Sequence, residues 1–154
     1  MKVKQVLNKY KNITIKVKGI TLLSKEEYRE CKDNIPAINK PWWLRSPGHY
    51  VFFAACVYGD GSIDYYGYDV DNSEFGVRPV LIIKSNLQIK DEFNLAGHAW
   101  TVISEDYAIC NDIIGEYCFR EDWRAKDSNN YKKSDIKKYI EDWAKENGII
   151  GEQK

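Results

Sequence analysis

The groups in this 154-residue sequence that could do chemistry are four cysteines, two histidines and a run of carboxylates. Cys31, Cys56, Cys110 and Cys118 together with His98 formally allow a Cys-His-Asp system, in which an imidazole removes a thiol proton to make a nucleophile. Nothing in their spacing points to it. His98 lies in the apolar, Gly-containing stretch Gly97-His98-Ala99-Trp100 and reads as a packed or surface histidine. There is no Cys-x-x-Cys pair, so a zinc site assembled from the cysteines with His49 and His98 lacks the usual ligand spacing. The expectation is four reduced thiols, three or four of them buried as small apolar side chains, with no metal and no cofactor. Asp69, Asp71, Asn72 and Glu74 offer hard oxygen ligands of the kind calcium takes, yet Asp69-Val70-Asp71-Asn72-Ser73-Glu74 lacks the sixth-position glycine of the EF-hand loop. It reads as a solvated acidic loop.

A second kind of chemistry, recognition, is better represented. Between Pro41 and Leu81 the chain is at its most aromatic and least periodic: Tyr50, Phe52, Phe53, Tyr58, Tyr65, Tyr66, Tyr68 and Phe75 are interleaved with Gly, Asp, Ser and Asn. Two anchors frame this stretch, Pro41-Trp42-Trp43-Leu44-Arg45-Ser46-Pro47-Gly48 and Gly76-Val77-Arg78-Pro79-Val80-Leu81. Trp42 and Trp43 can bury large areas, and the guanidinium forks of Arg45 and Arg78 can each satisfy several carbonyls, so all four are read as structural anchors. Some of the framed residues belong to the core. Tyr65-Tyr66-Gly67-Tyr68, however, cannot all point inward on a strand whose neighbours alternate faces. Tyr mixed with Ser, Gly, Asn and Asp is the composition of binding loops, because Tyr supplies contact area for little lost rotamer entropy.

The order Trp-Trp-Leu-Arg-Ser-Pro-Gly, Ala54-Ala55 with Val57, Asp60-Gly61-Ser62, Val70 and Gly76-Val77-Arg78-Pro79-Val80-Leu81 resembles a widespread, functionally uncharacterised bacterial and phage domain family. That family is in turn similar to the C-type-lectin-like fold of formylglycine-generating enzymes and of retroelement variable proteins. The resemblance implies an α+β, C-type-lectin-like fold with mixed or antiparallel sheets and two principal helices. It also implies a ligand face built from His49, Tyr50, Tyr58, Asp60, Asp64, Tyr66, Tyr68, Asn72 and Glu74, the counterpart of the diversified surface of the variable proteins. Oxidase activity is not carried over, because the matching block offers only Cys56 where the enzymes use a redox-active pair. No Glu-Pro-Asn sugar motif of the calcium-dependent lectins appears.

The later part of the chain also resembles the family, in exchanged order. Gly97-His98-Ala99-Trp100-Thr101-Val102 and the segment Tyr131 to Ile140 look like the family's opening strand and helix, whereas the Trp-Trp-Leu-Arg block looks like its ending. Residues 20–83 would thus be the family's C-terminal half and 93–150 its N-terminal half, in one domain spanning 1–154. Circular permutation and a swapped dimer both explain this order. A connector of about eight residues, spanning about 25 Å when extended, favours permutation within one chain. Dimerisation stays open.

The whole-chain numbers narrow the function. Lys and Arg total 23 against 23 Asp and Glu, so the formal net charge is zero, which favours neither sequence-independent nucleic-acid binding nor a nucleic-acid mimic. No apolar run reaches membrane-span length, and Met1 to Lys9 has charge without an apolar core or cleavage site, so a cytoplasmic protein is expected.

Positioning these residues requires a scaffold. Ile13, Ile15 and Val17 alternating with Thr14, Lys16 and Lys18 predict a strand. Ser24 and Glu27 form a capping box ahead of a helix to about Asp33. Val51 to Val57 and Ile63 to Val70 predict a hairpin around Gly59-Asp60-Gly61-Ser62, and Val77 to Ile83 a strand that Pro79 makes irregular. Strand-like pieces follow within Phe93 to Ile103 and at Tyr107 to Cys110. Ile136, Tyr139, Ile140, Trp143 and Ala144 then fall on one face of a helix capped by Ser134 and stopped by Gly148. The reading is a non-enzymatic module that engages a protein partner through the loops between Arg45 and Arg78. A chain this short and rich in Lys, Asn, Ile and Tyr suits a phage or mobile-element product acting on a host defence protein. A glycan-binding domain is the alternative, and a cysteine-dependent enzyme the third.

Overall fold

Two five-stranded sheets, joined by a chain that passes three times between them, place the aromatic stretch at one edge. The structure, a computed structural model, describes residues 14–149. Ile13, the amino-terminal stretch read for an export signal, and Ile150 lie outside the described residues.

The first strand, β1 (Ile15–Thr21), pairs antiparallel with β6 (Val80–Ser85), and their register shifts between Val17 and Gly19. This bulge resets the two-residue alternation, so Ile15 before it and Ile20 after it both reach the core. Helix α1 (Lys25–Cys31) starts at the expected capping box: Ser24 Oγ accepts from the Glu27 amide, and the Glu27 carboxylate accepts from the Ser24 amide. It is shorter than expected, tightening into a 3₁₀ turn at Lys32–Asn34.

Strands β2 (Trp42–Pro47), β3 (Phe53–Val57) and β4 (Ile63–Asp69) form an antiparallel meander, with the two-residue β5 (Gly76–Val77) parallel to β2. The sequence predicts one strand from Val77 to Ile83, but the chain leaves one sheet after β5 and joins the other at β6. Arg78-Pro79 makes the crossing. Pro79 has no amide to give a ladder, while its carbonyl still accepts from Cys110 N at 2.9 Å.

Beyond the connector, β7 (Glu92–Leu95), β8 (His98–Val102) and β9 (Tyr107–Cys110) complete the first sheet in the order β1-β6-β9-β8-β7. The short β10 (Gly115–Glu116) pairs with β5 and completes the second as β10-β5-β2-β3-β4. Both sheets therefore draw strands from the early and the late part of one chain. Helix α2 (Asp135–Glu146) begins at Ser134, whose Oγ accepts from Lys137 N. Its buried face spans two apolar clusters, Ile136 and Ile140 lying with Trp43 and Phe119, and Ala144 with Trp100 and Ile15. Among the described residues the fold is α+β, with two α-helices and two antiparallel or mixed sheets.

Candidate functional site

The exposed aromatics are displayed by a defect in the β3–β4 ladder. Ala54 pairs with Tyr68 and Cys56 with Asp64, so one residue of β3, Ala55, stands opposite three of β4, and Tyr65-Tyr66-Gly67 bulge out. Three contacts hold the bulge. Gly67 adopts φ +96°, and a Cβ there would lie 2.6 Å from the Ala54 carbonyl oxygen. Its amide donates to Asp64 Oδ1 at 2.9 Å. Across the bulge the Tyr66 carbonyl accepts from His49 N at 2.7 Å, and the chain comes so close that a Cβ on Gly48 would sit 2.2 Å from that oxygen. Glycine is required at both positions.

The result is a surface patch of stacked rings. His49 stacks on Tyr66 with centroids 4.4 Å apart, Tyr50 meets both edge-on, and Tyr50 stacks on Phe52 at 5.6 Å. Phe52 in turn meets Trp123 at 6.1 Å. Tyr66 is 57% exposed, Tyr50 49% and Trp123 42%, so about half of each ring still faces solvent after the rings have packed on one another. Beside them Phe52, Trp123, Asp69 and Asp71 line a groove of about 470 Å³.

Of the nine residues the resemblance assigns to the ligand face, the structure gathers His49, Tyr50 and Tyr66. Tyr68 is exposed but stacks on Phe75 at 4.9 Å, part of the Trp43 cluster. The Tyr58 hydroxyl donates to Asp64 Oδ2 at 2.5 Å, and burial together with that carboxylate pushes the phenol well above its ordinary value. With both oxygens engaged, Asp64 supports the bulge from beneath. Asp60 sits in the hairpin turn, its Oδ1 accepting from the Ser62 amide and hydroxyl, and Asn72 Oδ1 accepts from Glu74 N in the following loop. Tyr65 points elsewhere, under the guanidinium of Arg29 in α1.

Trp123 joins this patch without any periodic sign in the sequence. Its segment, Gly115 to Trp123, has no period. The signal was one large ring among Glu121, Asp122 and Arg124, a setting that does not bury it. The late part of the chain also holds the turn that carries Tyr50: Asn129 Nδ2 donates to the Tyr50 and Phe53 carbonyls at 3.1 Å each, and the buried Ser128 donates to the Val51 carbonyl at 2.9 Å.

The four anchors each join elements. Adjacent on β2, Trp42 and Trp43 point to opposite faces: Trp42 toward Tyr28 of α1, Trp43 toward Phe75 and Phe119, with its Nε1 donating to the Tyr117 carbonyl at 2.9 Å. Arg45 donates to the Leu22 carbonyl and to both oxygens of Glu27. Burial alone would raise the Glu27 carboxyl, but Arg45, the Ser24 amide and the Tyr107 hydroxyl outweigh it and hold the group below its usual value. Arg78 is 1% exposed, lies 5.1 Å over the Trp42 ring, and donates from Nε to the Cys110 carbonyl and from Nη2 to the Pro36 carbonyl, each at 2.8 Å. Burial lowers it to about 10.

All four cysteines are free and buried. Burial pushes the Cys56 thiol up to about 12 and those of Cys110 and Cys118 up to about 11, so each is protonated, and a poor nucleophile, near neutrality. Cys110 nonetheless lies close to His98 and Asp112. Among the described residues no helix is long and apolar enough to cross a membrane.

Residues 7–85 match the model of a family described as a domain of unknown function, DUF6273. No curated protein and no solved structure matches the chain.

Proposed function

The chain belongs to the DUF6273 family, whose description names no activity, and we propose from its own surface that it is a non-enzymatic module that binds a protein partner. The proposed architecture is C-type-lectin-like with the two halves in exchanged order. The contact face centres on His49, Tyr50 and Tyr66, extended by Phe52 and Trp123. The observation that carries this reading is the group of large rings left about half exposed on a backbone held by two obligatory glycines. Tyr and Trp presented rigidly are the residues that dominate protein interfaces, because little side-chain freedom remains to be lost on binding. The buried, protonated thiols count against cysteine catalysis. A protein partner, such as a host defence protein met by a phage or mobile-element product, suits the zero formal net charge better than a nucleic acid does.

The test is quantitative capture from the native host with the wild type beside Tyr66→Ala and Trp123→Ala. One protein enriched by the wild type and lost from both variants, with their melting temperatures preserved, supports the reading. Equal capture by all three chains removes it. The groove gives the glycan alternative a specific footing, since Phe52 and Trp123 form an apolar wall and Asp69 and Asp71 supply acceptors for sugar hydroxyls. Saturable glycan binding lost in Trp123→Ala would favour that alternative.

A further inference from the structure

We infer that His98, Cys110 and Asp112 form a binding site for a late first-row transition ion of the zinc or cobalt class, away from the aromatic face. The strand ladder brings them together. Trp100 of β8 is paired with Cys110 of β9, so His98, two residues before Trp100, and Asp112, two residues after Cys110, fall near the same rim of the first sheet. One ligand atom from each of the three lies within 4.8 Å of the other two, and His98 Nδ1 is 2.8 Å from Asp112 Oδ2. The set is imidazole nitrogen, sulfur and carboxylate oxygen. That mixture selects zinc-like ions over calcium and magnesium, which take oxygen alone.

The fit needs only small movements. A tetrahedral ion with bonds of ordinary length separates its ligand atoms by about 3.4–3.6 Å. It would take the place of the proton between His98 and Asp112, opening that 2.8 Å pair by about 0.6–0.8 Å, and draw in the Cys110 sulfur as a thiolate, whose displaced proton passes to solvent at the open side. Cys110 is fully buried and His98 and Asp112 reach solvent, so the ion has an open side, where water supplies a fourth ligand. The supporting shell is in place: Arg78 Nε fixes the Cys110 carbonyl, and the His98 ring packs 5.8 Å from Trp143 of α2. The sequence conceals the site because its ligands come from neighbouring strands rather than from one short motif.

Titration of the full chain with Co²⁺ tests it directly. Expected are thiolate-to-cobalt charge-transfer absorption in the near ultraviolet that saturates at one ion per chain, its loss in Cys110→Ser, and an affinity at least about tenfold weaker in His98→Ala and Asp112→Asn. Zn²⁺ at about a hundredfold excess over its Kd should raise the wild-type melting temperature by about 5–10 °C. Cobalt binding without the charge-transfer absorption would overturn the site, because the sulfur would then not be a ligand. Should Cys110→Ser fail to fold, unchanged affinity in both His98→Ala and Asp112→Asn would overturn it equally.

Discussion

Replacing Arg78 by methionine asks how much of the scaffold hangs on one buried cation. The methionine keeps the apolar stem against Trp42, so the change chiefly removes two hydrogen bonds, to the carbonyls of Cys110 and Pro36. A buried carbonyl left without a donor costs about 1–3 kcal/mol, and two cost about 2–6 kcal/mol. Against this, burial outweighs the attraction of Asp112 and lowers the pKa of Arg78, which marks an unfavourable burial of charge, so part of the loss is returned. The expected net destabilisation is about 2–5 kcal/mol, which for a chain of this size lowers the melting temperature by roughly 5–15 °C. Urea denaturation followed by circular dichroism gives the free energy. Arg78→Lys should fall between, because an ammonium keeps the charge but lacks the fork that reaches both carbonyls. A methionine variant melting within about 2 °C of the wild type would show that the guanidinium's burial costs as much as its bonds return, and would refute its role as an anchor.

Glu27→Gln should lower stability at neutral pH and flatten the acid limb of the stability curve. The folded carboxyl titrates below its usual value of 4.5, so its contribution is complete above that value and is lost as pH falls through the folded one. Urea midpoints measured across that interval check the sign, and parallel curves for the two chains would contradict it. Gly48→Ala should cost about 1–3 kcal/mol and also weaken partner binding, because its Cβ would strike the Tyr66 carbonyl oxygen and displace the bulge; calorimetry and the capture assay report the two effects separately. Gly67→Ala should destabilise by a similar amount, from its positive φ as well as the Ala54 contact, measured by thermal melting. Tyr68→Ala should destabilise more than Tyr66→Ala, measured by thermal melting, since Tyr68 covers the buried Phe75 while Tyr66 packs on the exposed rings of His49 and Tyr50.

Elements with local signals were legible in the sequence. The Ser24-Glu27 capping box, the Ser134 cap and apolar stripe of α2, and the hairpin around Gly59 to Ser62 stand where propensity and turn chemistry put them. Legibility failed where tertiary pairing decided. Apart from Arg78, Val77 to Ile83 is apolar whether it forms one strand or two, and the partners β10 and β9 show that the chain changes sheets at Pro79. The bulge was half visible: four residues with three tyrosines could not all be buried, but which one the backbone would present depended on Gly48, nineteen positions before Gly67. The ligand face carried over from the resemblance follows sequence proximity, so it included Asp60 and Asn72, whose side chains cap their own turns, and omitted Trp123, which arrives from the other end of the chain.

The placement of β9 bears on how the polypeptide is made. This strand lies between β6 and β8, so until Tyr107 to Cys110 have left the ribosome the apolar edge of Val80 to Ile82 has no mate. The family-matching portion, residues 7–85, therefore emerges first with an open seam, and would be prone to self-association if produced alone. Covering that seam waits on the late part of the chain, which supplies β9 and β10 to the two sheets and, through Ser128 and Asn129, the bonds that hold the tyrosine turn.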